Sequence, residues 1–281
     1  MNNKKIKSYA KINLTLNVTG KNLNLHKIES IIAFVDLHDD IFIKEIKSSR
    51  HSISFFGKFS SNIGKKNSVS ELLSILEKKR LLIDRKFQIK INKRIPSKAG
   101  LGGGSMNAAS ILDYLIKKKI IKVNKIEVKE ISKLVGSDVI LGHKPTNLIL
   151  NSKNEIKKFF NCKKIHTLIV KPNFGCSTKY IYSKINKFNK PKLYKPNKKM
   201  FNLEYLKKMS NFLETIAFSK YSKLKEIKLY LENLPKTVFV RMTGSGSALV
   251  AYFETKERCD NAKKQFSRKY KNYWCISSKT I

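Results

Sequence analysis

Residues 9 to 18, YAKINLTLNV, alternate apolar and polar positions. Successive side chains of an extended chain point to opposite sides, so Ile12, Leu14, Leu16 and Val18 share one face of a strand. Lys11, Asn13, Thr15 and Asn17 share the other, and Lys11 and Asn13 therefore point together. Runs of β-branched and aromatic residues predict further strands at 31–35, 41–46, 52–56 and 87–91. Val69 to Arg80 has a helical period, with Leu72, Leu73 and Leu76 on one side. After the strand at 87–91 come a turn with Pro96, the stretch Gly100-Leu-Gly-Gly-Gly-Ser-Met-Asn-Ala-Ala109, and a helix. Ala108, Ala109, Leu112, Leu115 and Ile116 form its apolar stripe. Lys117, Lys118 and Lys119 close that helix, where cations suit the negative end of its dipole. A second helix is expected around Ile126–Val135, ending at Gly136-Ser137-Asp138.

The texture changes near position 151. A charged stretch through Lys164 reads as linker-like, and a Lys/Pro/Asn run at 186–199 as a surface loop. Helices are predicted at 178–186, 202–219, 222–233 and 255–268. They bracket strands at 237–241 and 247–253, joined by Thr243-Gly244-Ser245-Gly246. Strands and helices mix in both halves, so the pattern predicts two α+β domains, 1–152 and 153–281.

Composition narrows the class. The chain has 281 residues, 41% of them hydrophobic, enough for real cores. No apolar run is long enough to cross a bilayer. The N-terminus, Met1-Asn2-Asn3-Lys4-Lys5, is basic, but Ile12–Val18 alternates where a secretory segment would be continuously apolar, so a cytoplasmic protein is expected. Cys162, Cys176, Cys259 and Cys275 show neither metal spacing nor a disulfide framework. The net charge is +39, yet only seven of the 59 basic residues are arginine. The remaining lysines are scattered among Ile and Asn, residues that share A/T-rich codons. A nucleic-acid surface draws on arginine forks and concentrated patches, so no specific nucleic-acid partner is expected.

Four of the 12 glycines fall between positions 100 and 104. Glycine surrenders the most backbone entropy on ordering, and such a cluster needs a reason. Without Cβ atoms, backbone N–H groups can wrap phosphate oxygens, and the helix start behind them adds partial positive charge. Ser105 has three roles open to it: capping the helix, binding a phosphate, or approaching a metal. The loop is not a Walker A motif, for no Gly-Lys-Ser/Thr occurs, and it lacks the Gly-x-Gly-x-x-Gly spacing of dinucleotide folds. Asp138 alone would be a turn carboxylate, and Lys11 alone one lysine among many. Together with the loop they meet the needs of phosphoryl transfer to an alcohol: cradled phosphates, a cation for developing charge, and a carboxylate for the hydroxyl.

Three stretches then carry a resemblance. Pro96-Ser-Lys-Ala-Gly-Leu-Gly-Gly-Gly-Ser-Met-Asn-Ala-Ala109 resembles the phosphate loop of GHMP kinases. Ser8-Tyr-Ala-Lys-Ile-Asn-Leu-Thr-Leu16 is similar to their first motif, and Arg241-Met-Thr-Gly-Ser-Gly-Ser-Ala-Leu249 to their third. The motifs occur in the family's order and span nearly the whole chain. The resemblance implies a two-domain GHMP fold with the active site between the domains. It gives the first domain a left-handed β-α-β unit, where pattern alone predicts a right-handed one, and the second a ferredoxin-like α/β sandwich. It implies ATP held by residues Pro96, Ser97, Lys98, Ala99, Gly100, Leu101, Gly102, Gly103, Gly104, Ser105 and Met106. Mg²⁺ is expected on the nucleotide, with no protein metal ligand assigned. Lys11 and Asp138 become the catalytic pair.

Within the family the pattern is most similar to the branch that phosphorylates the 2-hydroxyl of a cytidine diphosphate-linked methylerythritol in non-mevalonate isoprenoid synthesis. Leu134-Val-Gly-Ser-Asp-Val139 resembles that branch's aspartate segment, and Pro172–Tyr182 its cytidine-side segment. Asn13, His26, Thr178, Tyr182, Gly244 and Ser245 are then the implied substrate contacts. Homoserine- or mevalonate-type kinases are the alternatives, and a basic nucleic-acid-binding protein is a third reading, ranked behind them. The chain departs from the branch at Leu23-Asn24-Leu25-His26, where Asp-Gly-Tyr-His is usual; Leu25 offers no ring for stacking, while Tyr182 does. Met106 stands for a common second serine, Ile140 for a proline, and Gly142-His143-Lys144-Pro145 for a glycine-rich continuation. His38, His51, His143 and His166 read as surface or satisfied structural residues, and a monomer or weak homodimer is expected.

Overall fold

A computed structural model describes residues 4–22, 25–61 and 63–281. The start Met1-Asn2-Asn3 and the departure at Leu23-Asn24 lie outside the described residues. In chain order the elements are β1 (Lys4–Lys21), β2 (His26–Ile46), β3 (Ser52–Phe56), α1 (Ser68–Lys78), β4 (Lys86–Asn92), α2 (Gly103–Lys117) and α3 (Lys125–Val135). Then follow β5 (Asn147–Leu150), β6 (Ile156–Phe159), β7 (His166–Lys171), α4 (Thr178–Ser183), α5 (Leu203–Lys207), α6 (Glu214–Lys220) and α7 (Ser222–Glu232). The chain closes with β8 (Phe239–Met242), β9 (Leu249–Phe253), α8 (Lys256–Lys269) and β10 (Trp274–Lys279).

The chain forms two compact units, neither of them one continuous stretch. The first comprises Met1–Lys11, Leu37–Ser97 and Gly102–Pro145; the second comprises Ile12–Asp36, Lys98–Leu101 and Thr146–Ile281. β1 and β2 each contribute one part to either unit, and the glycine-rich loop is likewise shared.

In the first unit, β2 pairs antiparallel with β4 over Asp40–Ile46, and β3 pairs parallel with β4. The parallel pair is joined through α1, a β-α-β connection. Local chemistry explains where the helices begin. Asn67 accepts from Val69 and Ser70 backbone N–H groups while the Ser70 hydroxyl bonds back to Asn67, a capping box that starts α1. Asn124 and Glu127 do the same for α3. Leu72, Leu76, Ile89, Ala108, Leu112, Leu115 and Val139 lie in this unit's own core.

The second unit holds a four-stranded antiparallel sheet in the order β10-β7-β9-β8. Taking β7 as its first strand gives the order 4-1-3-2, with α4 to α7 between the first and second strands and α8 between the third and fourth. That is the ferredoxin-like arrangement. The β2 part of this unit pairs through Ser30–Ile32 with β5, which pairs in turn with β6. A separate core gathers Leu16, Val18, Leu168, Val170, Leu224, Ile227, Leu231, Val250-flanking Leu249 and Ala251, and Phe266.

Two expectations are corrected. The stretch read as linker after position 151 contains β6, whose Lys157 and Lys158 pair with Ile149 and Leu148 of β5; the lysines mask the strand because their backbone, not their side chains, makes the ladder. The helix expected at 202–219 is two short helices. Asn211 interrupts it, its amide nitrogen donating to Met242 O at 2.7 Å and Gly244 O at 2.8 Å while its side-chain oxygen accepts from Leu213 N at 2.9 Å.

Candidate functional site

In the first unit the approach to α2 is fixed from beneath by Asp39, which is fully buried. Its carboxylate accepts from Arg94 N at 2.8 Å, Ile95 N at 2.9 Å and Asn107 Nδ2 at 3.1 Å, and pairs with the Lys93 ammonium. A buried carboxylate persists only when so satisfied. One side chain thereby ties the end of β4, the turn after it and the second turn of α2. Pro96 is buried, whereas Ser97 and Lys98 face solvent.

Gly102 is the N-cap of α2, in the left-handed region at φ +71°, and brings no side chain to the first turn. That turn also holds no acidic residue. A Cβ at Gly102 would lie 2.9 Å from Lys11 Cγ and 3.1 Å from Lys11 Cε. A Cβ at Gly103 would lie 3.0 Å from Ile95 Cγ2 and 3.3 Å from Lys93 Nζ, and one at Gly104 3.3 Å from Ser68 Oγ. The glycines thus admit two lysine side chains to the positive end of a 15-residue helix, the environment that binds anions. Ser105 is half-buried in the same turn. Met106 does not face the loop: its side chain is buried, close to Gly142.

Lys11 Nζ lies 3.3 Å from Asp138 Oδ2, with the lysine side chain 6% exposed and the aspartate 35% exposed. The buried partner supplies a fixed charge and the accessible one faces solvent. Asp138 stands between α3 and a single 3-10 turn, Val139–Gly142, and Leu141 N donates to its carbonyl at 3.1 Å. Gly142 lets that turn pack tightly on α2, since a Cβ there would lie 2.7 Å from Ala109 Cβ. Just beyond, His143 Nδ1 is 2.6 Å from Asp113 Oδ1 and its Nε2 is 2.8 Å from Ser132 Oγ. The trio has the distances of a nucleophilic triad. Ser132, however, is fully buried and donates its hydroxyl to Val128 O at 2.7 Å, so the trio clamps the segment behind Asp138 to α2 and α3.

The second unit carries the other predicted residues. Ala99 and Leu101 are buried anchors. Gly100, at φ +72°, leaves no room for a side chain, because a Cβ would lie 2.0 Å from Thr243 O. Thr243 Oγ1 accepts from Asn13 N at 3.0 Å and donates to Gly100 O at 3.2 Å. Asn13 Nδ2 donates to Ser30 Oγ at 2.8 Å, and a Cβ at Gly244 would lie 3.6 Å from Asn13 Oδ1. Ser245 Oγ and Thr178 Oγ1 are 2.7 Å apart. Lys171 Nζ donates to Pro172 O at 2.8 Å and Phe174 O at 3.0 Å, and Ser247 Oγ donates to the same Phe174 carbonyl at 2.7 Å. His26 and Tyr182 rings lie 5.1 Å apart, inclined at 47°. Burial, aided by the Lys21 charge, pulls the His26 imidazole below its ordinary value, favouring the neutral ring.

The predicted residues therefore fall into three sets: Lys11, Asp138 and Gly102–Ser105 in the first unit; Asn13 with Gly100 and Gly244, beside the Thr178–Ser245 pair, in the second; and His26 with Tyr182, also in the second. Sequence reading missed Asp39, Lys93, Thr243 and Asn211, which hold these segments in place. Among the described residues, no group of three or more His, Cys, Asp or Glu side chains is arranged to hold a metal ion, and no helix is long and apolar enough to cross a membrane.

Residues 67–145, from the α1 cap to the end of the 138–145 segment, match the family model for the GHMP kinases N terminal domain. The chain is 58% identical over 281 residues to 4-diphosphocytidyl-2-C-methyl-D-erythritol kinase of Pelagibacter ubique, the whole of both chains being covered. It is 32% identical to the kinase of that name from Petrotoga mobilis, over 87% of this chain and 96% of the other. Its fold matches a crystal structure of 4-(cytidine 5'-diphospho)-2C-methyl-D-erythritol kinase with a TM-score of 0.80 at 23% identity, covering 99% of this chain and all of that one. The chain belongs to the 4-diphosphocytidyl-2-C-methyl-D-erythritol kinases, a branch of the GHMP kinases.

Proposed function

We propose that the chain transfers the γ-phosphoryl group of ATP to the 2-hydroxyl of 4-diphosphocytidyl-2-C-methyl-D-erythritol. The chain is an ATP-dependent small-molecule kinase by its family. The observation that carries the specific reading is full-length identity of 58% to a kinase of that name.

The geometry supports a direct transfer. Main-chain N–H groups of Gly103, Gly104 and Ser105 hold the phosphates at the start of α2, with Lys93 and Lys11 adding positive charge. Asp138 receives the substrate hydroxyl, orients it and takes its proton as the oxygen–phosphorus bond forms and the bond from the γ-phosphorus to the β–γ bridging oxygen breaks, ADP leaving with that oxygen. Lys11, fixed 3.3 Å away, pairs with the carboxylate and screens charge developing on the transferred group. Mg²⁺, bound with the nucleotide, would supply further charge neutralisation. His26, Thr178, Tyr182, Asn13, Gly244 and Ser245 recognise the cytidyl substrate.

A coupled ADP-release assay tests the reading, run with the cytidyl substrate, homoserine and mevalonate, each with and without Mg²⁺. Turnover confined to the cytidyl substrate is the expected result. Turnover with homoserine or mevalonate instead would replace the substrate while leaving the kinase chemistry standing.

A further inference from the structure

Phe188 is 46% exposed, a large apolar ring left in water. A single exposed ring is ordinary on a protein surface, so what it faces matters more than its exposure. The backbone around it is tied. Asn189 N donates to Val18 O at 2.9 Å, and Asn17 Nδ2 donates to Lys190 O at 3.2 Å. The buried Glu29 carboxylate accepts from Lys192 N at 2.8 Å and Leu193 N at 3.1 Å. The segment that presents the ring is thus fastened immediately behind it to β1 and β2.

The ring has company. Its centroid lies 6.3 Å from that of His26, inclined at 54°, and Tyr182 lies 5.1 Å from the same imidazole. Two aromatic rings therefore neighbour one imidazole that burial keeps toward its neutral form, able to donate from one nitrogen and accept at the other. A flat heterocycle with a polar edge matches that chemistry: its faces find rings and its edge finds the imidazole. Leu25, next to His26, is 63% exposed and offers only an aliphatic chain.

We propose that Phe188 is a specificity-determining residue that presents an aromatic face to the pyrimidine of the cytidyl substrate, supplying the ring that Leu25 lacks. The proposal rests on the function proposed above. Kinetics with the cytidyl substrate test it. Phe188→Ala should raise KM for that substrate on the order of tenfold, the loss expected for one stacked base, with kcat and KM for ATP within about twofold. Phe188→Tyr should restore the parent KM. Calorimetric titration with cytidine 5'-diphosphate alone should show the same ratio between the parent and Phe188→Ala. Equal KM and equal cytidine diphosphate affinity in those two proteins would overturn the proposal, as would a parent that does not bind cytidine diphosphate. A parent that binds it yet turns over no cytidyl substrate would overturn the proposed reaction, while the Phe188→Ala titration still decides the role of the ring.

Discussion

Replacing Gly102 with alanine probes the site more sharply than removing a charge, because the new methyl group strikes one identifiable side chain. At φ +71° an alanine carries a left-handed penalty of about 1–2 kcal/mol. Its Cβ, 2.9 Å from Lys11 Cγ and 3.1 Å from Cε, adds an overpacking cost of about 1–3 kcal/mol, since the lysine stem is buried and has little room to yield. Whatever accommodation occurs moves the ammonium relative to Asp138, from which it now stands 3.3 Å. Misplacement by about 1 Å at a reacting centre can cost roughly a hundredfold in rate. The expected phenotype is therefore a folded protein, modestly destabilised in urea unfolding, whose kcat for ADP release falls between about tenfold and a hundredfold. KM for ATP should move less, because the amides of Gly103 to Ser105 remain. A Gly102→Ala enzyme with kcat within twofold of the parent would refute the reasoning that Lys11 must hold its present position.

Three further outcomes follow from the same geometry. Asp138→Asn keeps the shape of the side chain and should still fold, destabilised by about 1–3 kcal/mol because the buried Lys11 ammonium loses its charged partner, yet lose about 10²–10⁴-fold in turnover; near-parental turnover would remove Asp138 from the chemistry. Asp39→Ala strips a buried ammonium of its partner and two backbone donors of their acceptor, and should destabilise the chain by about 3–5 kcal/mol in denaturant titration. His51 accepts from Phe87 N at 3.0 Å through Nδ1, and burial, against a smaller opposing pull from Glu77, holds its folded pKa below the ordinary 6.5. The unfolded chain then binds the extra proton first, so stability should be flat above about pH 7 and fall as pH drops below 6.5 toward the folded value. His51→Gln, measured by unfolding between pH 7 and 5, should show a shallower slope, keeping the part that His26 contributes.

What the sequence made legible was local. The alternation at 9–18 declared the face shared by Lys11 and Asn13, and the glycine cluster before an amphipathic run declared α2 and its bare N-terminus. The apolar period at 69–80 and the run at 126–135 declared α1 and α3, and the structure adds the Asn67 and Asn124 caps that start them. The features that escaped depend on partners far along the chain. Asp39 meets Lys93 across 54 positions, and Asn211 breaks a helical run by bonding carbonyls 31 and 33 residues away. No window of sequence displays such a bond. β5 and β6 escaped for another reason. Four residues each is too short for a period to show, and the lysines of β6 gave it the look of a solvated linker. Phe188 was hidden inside a Lys/Pro/Asn run whose composition speaks of loop, although Glu29 and Val18 fasten it.

The first turn of α2 is built almost without side chains, and that sparseness has an evolutionary corollary. Main-chain amides read charge and tetrahedral shape, and every nucleoside triphosphate offers the same tail. A grip of this kind is indifferent to whether the donor is a purine or a pyrimidine. On the proposed function, choice of donor then resides in surrounding side chains, which can change without altering a grip made by the main chain.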